Sequence, residues 1–143
     1  MSLNLSAPIL AAIKADSSIT SLLGVYNDEP SIHTRRPVPA EAGSPLITIS
    51  PDITITDEDG ISDRRPVVRR DVAVYGDAIG HYRVVEELGY LLRELFHRQH
   101  QILTVPGYSV VDVRVAGPMI APASDDTMVG RLVTLTIRLA SSS

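Results

Sequence analysis

Only one run in this 143-residue chain carries a helical period long enough to cover a sheet. From Ala78 to about Arg98, the apolar residues Ile79, Tyr82, Val85, Leu88, Leu92, Leu95 and Phe96 recur at three-and-four spacing, the mark of an amphipathic helix. Such a helix has roughly 20 residues and is about 30 Å long. Its polar face carries Arg83, Glu86, Glu87, Glu94, His97 and His100. Asp77 is placed to cap its start. Gly89 in mid-helix costs about 1 kcal/mol against alanine, which is expected where a helix lies tightly on a sheet. The rest of the chain must supply the surface that this apolar stripe buries.

Alternation at period two supplies it. "LITIS" and "ITIT" read as one strand broken at Pro51 or as two short ones. In "VVRRDVAVYGD", Val68, Val72 and Val74 share a face with Arg70, and Arg69, Asp71, Ala73 and Tyr75 form the other. In "SVVDVRVAG", Val111, Val113 and Val115 are expected inside, with Asp112 and Arg114 outside. In "RLVTLTIRLA", Val133, Leu135, Ile137 and Leu139 point inward.

Two short helices come first. Pro8–Ala15 is one, with Ser6 as its cap and Ile9, Leu10 and Ile13 as its stripe. "DSSITSLLG" is the other, capped at Asp16 or Ser17 and stopped at Gly24. Val25–Tyr26 reads as a possible short strand. The order predicts one α+β domain over residues 1–143, an antiparallel or mixed four-stranded sheet packed against one long helix, with short N-terminal helices. Long loops are expected at 27–45, which holds Pro30, Pro37, Pro39 and Pro45, and at 57–66.

Composition narrows the function. The chain has no cysteine, which removes a disulfide framework, a thiolate metal site and a cysteine nucleophile. The N-terminal residues lack the pattern of a signal peptide, and no 18 apolar residues run together, so neither export nor a membrane partner is expected. A net charge of −4 and the absence of tryptophan argue against a specific nucleic-acid binder. Lys14 is the one lysine; every other cationic side chain is an arginine. A GC-rich genome explains that bias, and so does a need for planar, bidentate pairing with carboxylates at subunit contacts.

Groups that do chemistry are scarce. Glu94, His97 and His100 are spaced to approach one metal, yet they fall where the helix ends, and no fourth ligand follows by spacing. Glu86 and Glu87 point about 100° apart and form a poor acid–base pair. No G-x-S-x-G elbow, P-loop, G-x-G-x-x-G or H-E-x-x-H is present. No catalytic residue, metal or cofactor is therefore assigned. The arginine clusters remain: Arg35 and Arg36, Arg64 and Arg65, Arg69 and Arg70, beside the acids Asp57, Glu58, Asp59 and Asp63. They are either solvated surface or subunit and partner contacts, in which unlike patches of identical neighbours meet head to tail.

The pattern of "ILAAIKADSSITSLLGVYNDEP", "RRDVAVYGDAIGHYRVVEELGYLLRELF" and "YSVVDVRVAGPMIAPASDDTMVGRLVTLTIRLA" resembles the small tail-completion or tail-terminator proteins of long-tailed phages, prophages and gene-transfer agents. The resemblance covers most of the chain; 31–45 and 57–66 match least. "YGD" stands where relatives often carry an aromatic residue and a serine, and no residue role is carried over. The resemblance implies a non-enzymatic virion protein that forms a homo-oligomeric, hexameric ring on the finished tail tube, stopping its growth and joining tail to head. Its partners would be its own copies, the tail-tube protein and head–tail connector proteins. Its place would be the virion tail or neck, with the host cytoplasm during assembly. A head–tail connector of the neck is the neighbouring reading. A small ligand-binding module and a metal-assisted hydrolase are the readings from other classes.

Overall fold

A computed structural model describes residues 5–34, 43–50, 65–121 and 127–141, with 54–57 as backbone. Its elements are α1 (Ser6–Lys14), α2 (Ser17–Thr20), β1 (Val25–Tyr26), β2 (Glu29–Pro30), β3 (Ile32–His33), β4 (Leu46–Ile49), β5 (Thr54–Asp57), β6 (Pro66–Asp77), α3 (Tyr82–Phe96), β7 (Tyr108–Ile120) and β8 (Met128–Ser141). The fold is α+β, as expected, but among the described residues the main sheet has six strands rather than four. Its path is β3-β4-β6-β8-β7, and β5 pairs with the other half of β6. "LITIS" and "ITIT" are thus two short strands beside one long one: β4 runs against Val72–Tyr75, β5 against Pro66–Arg69. The sheet is mixed, because β3 runs parallel to β4. β2 and β3 occupy part of the segment read as loop, and strands of two residues are too short to show a period.

The core lies between the sheet and the helices. Val85, Leu88, Leu92 and Phe96 of α3 are buried against Val72 and Val74 of β6, Val113 and Val115 of β7, and Val133, Leu135 and Ile137 of β8. Gly89 lies where the helix comes closest to the sheet. A Cβ there would stand 3.0 Å from Cβ of Pro118 and 3.4 Å from Cβ of Arg131.

α3 is shorter than its period suggested. Residues 78–80 form a turn, in which the Ala78 N–H donates to Thr127 O (2.8 Å) and Gly80 has φ +100°. Ile79 consequently points to solvent. His81, not Asp77, is the N-cap residue, and no side chain caps the helix. At the other end, extended His97 and Arg98 at φ +60° turn the chain away. Ser6 likewise does not cap α1, whose N-cap is Leu5. Asp16 does cap α2, accepting from the Ser18 N–H (3.0 Å).

One residue of β7 departs from the expected alternation. A β-bulge between Val110 and Asp112 inserts a residue, so Val111 is 54% exposed while Val113 and Val115 stay buried.

Candidate assembly surface

Of the six arginines singled out from the sequence, three fall among the described residues. Arg35, Arg36 and Arg64 lie outside the described residues. Arg65 is exposed just before β6, and Arg69 is exposed on the sheet face opposite the helices. Arg70, one residue on, must point the other way in a strand. It is 5% exposed, and its Nη1 donates to Ser6 Oγ at 2.5 Å. This side chain ties α1 to the sheet, and its burial removes it from any contact surface.

The surface that sequence reasoning missed runs along the flank of α3 beside the edge strand β7. Tyr82, Glu86 and Tyr90 repeat every four residues and so share this flank. Arg131 of β8 fills the seam beneath them. Its Nη2 donates to Glu86 Oε1 (3.1 Å) and to the Tyr82 hydroxyl (3.3 Å), and its guanidinium lies 5.4 Å from the Tyr82 ring centroid. Ile120 is the register partner of Arg131 on β7. Around this largely buried cation, Ile120 is 78% exposed, Tyr90 64%, and Tyr82 is also open to solvent. Exposed apolar and aromatic side chains around a paired arginine are the composition of a protein-contact centre. The sequence signal was available in the Tyr82–Glu86–Tyr90 spacing, but the partner strand was not.

The same flank guards the sheet edge. A 13-residue edge strand offers unpaired backbone groups to any passing strand. Here the last turn of α3 and the two residues after it occupy four of them. The Arg98 N–H donates to Val113 O (2.8 Å), the Val115 N–H donates to His97 Nδ1 (3.1 Å), and Arg93 Nη1 donates to Val115 O (3.0 Å) and Gly117 O (2.7 Å). His97 accepts at Nδ1 and therefore works as the neutral ring. Desolvation, then the nearby charges of Arg93, Arg98 and Arg114, hold its pKa below the usual value. Asp112 is held below the usual carboxylate range chiefly by its hydrogen bond from Arg114 Nε (2.8 Å).

The β1–β2 hairpin is a separate two-stranded sheet. Asn27 and Asp28 both have positive φ, 51° and 63°, the geometry of a tight two-residue hairpin turn. The hairpin is tied to the β3–β4 side. The Gly24 N–H donates to Pro45 O (2.8 Å), and the Gly43 N–H donates to Val25 O (3.1 Å). The Tyr26 ring meets His33 edge-on at 5.5 Å. His33 is buried, shares a 2.8 Å hydrogen bond with Ser31 Oγ, and has its pKa lowered by that burial. Val25 stays 59% exposed, beside the acidic pair Asp28 and Glu29.

Among the described residues, no group of three or more His, Cys, Asp or Glu side chains is placed to hold a metal. Nor is any helix there long and apolar enough to cross a membrane. His97, the centre of the metal alternative, spends its Nδ1 lone pair on the Val115 N–H.

No family model matches the chain, and no curated protein does. Among solved structures the chain is similar to one described as "Virion of native gene transfer agent (GTA) particle". The match has a TM-score of 0.78 at 14% identity and covers 96% of this chain and 95% of that one. The likeness is one of fold, and it runs from end to end of both chains.

Proposed function

We propose that this chain is a virion structural protein that works by assembly and not by catalysis. Its copies form a ring that caps a tail tube, ends tail growth and joins tail to head. The observation that carries this reading is the two-way coverage of the fold match to a chain of a gene transfer agent virion. The exposed aromatic flank beside a guarded sheet edge supports it, because it offers a side-chain contact surface while blocking open-ended strand addition. The tail-tube protein and the head–tail connectors are the partners this reading requires, in the tail or neck of the particle.

A head–tail connector of the neck is the second reading, and the same fold match favours it equally. Mixing the purified protein with tail tubes and with portal-bearing heads, then imaging by negative stain, separates the two. Density capping tube ends supports the terminator, and density on the portal supports the connector. Absence from both returns the protein to the small binding-module class.

A further inference from the structure

We infer that His97 is the pin of a clip that closes the edge of β7, and that protonating its ring opens the edge between Val113 and Val115. The inference goes beyond the assembly reading and does not depend on it. The clip is built like a missing strand. β7 ends the path of the main sheet, so among the described residues one side of it has no strand beside it. The two residues after α3 take that place. The Arg98 N–H donates to Val113 O (2.8 Å), and the Val115 N–H donates to His97 Nδ1 (3.1 Å). A neighbouring strand would supply a carbonyl oxygen for the second bond, and a carbonyl accepts at any pH. The imidazole Nδ1 accepts only in the neutral ring with its single proton on Nε2. Once Nδ1 is protonated, two N–H donors face each other and the bond cannot form.

The surroundings favour release. Arg93 of α3, Arg98 in the clip itself and Arg114 of β7 all oppose a positive charge on the ring, and Asp112 of β7 alone favours it. Asp112 is itself engaged, accepting from Arg114 Nε (2.8 Å). Glu94 and His100, the other titratable side chains of this stretch, are exposed. Desolvation, then the three arginines, keep the ring's pKa below 6.5 while the clip is closed. Opening returns the ring to water and lifts that pKa, so acid favours the open form. The backbone leans the same way: Arg98 is held at φ +60°, a region unfavourable to any side chain, and opening relieves it. The bonds from Arg93 to Val115 O and Gly117 O do not titrate in this range, so the opening is local. It frees one acceptor and one donor, Val113 O and the Val115 N–H, and such groups on a sheet edge are where another strand can add.

Nuclear magnetic resonance of the intact chain between pH 7 and 5 tests this. Asp112 stays ionised throughout that window, since its pKa lies below 3.8. At pH 7 the ring nitrogen shifts of His97 are expected to show the tautomer with its proton on Nε2. As pH falls below 6.5, the amides of Val115 and Arg98 are expected to lose hydrogen-exchange protection together, by up to about tenfold per pH unit after correction for the intrinsic rate. Amides paired between β6 and β8 are expected to keep theirs. His97→Asn places a non-titrating oxygen near the position of Nδ1, so its Val115 protection at pH 5 is expected to equal that at pH 7. A proton on Nδ1 at pH 7 would overturn the inference, and so would Val115 protection in the parent chain that ignores pH. Equal acid loss in His97→Asn and the parent would also overturn it, by assigning the response to another group such as the buried His33.

Discussion

Replacing Arg70 by alanine is expected to cost about 3 kcal/mol of stability, whereas the same change at its neighbour Arg69 costs less than about 0.5 kcal/mol. Arg70 is nearly enclosed, between α1 and the sheet, and donates to Ser6 Oγ. A hydrogen bond from a charged donor contributes roughly 1.5–3 kcal/mol net, and truncating a long buried side chain adds the cost of the space it leaves, of the order of 1–2 kcal/mol. For a chain of this length, 3 kcal/mol lowers the melting temperature by about 10 °C. With a urea slope near 2 kcal/mol/M, it lowers the unfolding midpoint by about 1.5 M. The chain has no tryptophan, so far-ultraviolet circular dichroism is the readout. Arg70→Met, which restores most of the volume without the donor, is expected to recover about half the loss. Equal, small effects at Arg69 and Arg70 would refute the assignment and return Arg70 to the contact surface.

Three further outcomes follow from the same geometry. Gly89→Ala gains about 1 kcal/mol of helix propensity, but its Cβ would press on the rigid Pro118 ring at 3.0 Å. Overpacking of this kind costs roughly 1–3 kcal/mol, so thermal melts should show net destabilisation, and a stabilised variant would mean that helix and sheet are not in contact there. His33 and His97 both have folded pKa values below the usual 6.5, so the unfolded chain binds more protons as pH falls. Their contribution to stability is complete above 6.5 and is lost as pH drops through that value toward the folded ones; His97→Ala should flatten its share in urea titrations across pH 7 to 5. Asp112 adds a second loss at lower pH, below 3.8. Arg93→Ala removes the guard from the Val115 and Gly117 carbonyls, and static light scattering should show concentration-dependent aggregation that the parent chain lacks.

Much of the fold was legible because burial writes a period into long elements. The stripe Val85–Leu88–Leu92–Phe96 and the alternation of β6 and β8 read directly, as did the tight packing at Gly89. The failures have local causes. Val111 lost its phase to a bulge, which leaves no mark on an alternating sequence. β2 and β3 are too short for any period to appear. The helix stopped short at both ends because a turn bonded to Thr127 and a left-handed Arg98 satisfy tertiary partners that lie far off in sequence. The contact surface was the least legible part. Six arginines drew attention by charge, yet one of them, Arg70, is a buried tie, and three lie outside the described residues. The exposed flank is assembled from α3, β7 and β8, and only the fold brings Tyr82, Ile120 and Arg131 together.

The central claim is that this chain acts as a closed ring of its own copies. Light scattering behind a sizing column, at several concentrations up to the highest the protein tolerates and with tail tubes added in a parallel run, tests it most directly. The account predicts a discrete species near six times the 15.5 kDa chain mass, free or captured on tube ends, and not a continuous series of sizes. A strict monomer in both runs would contradict it.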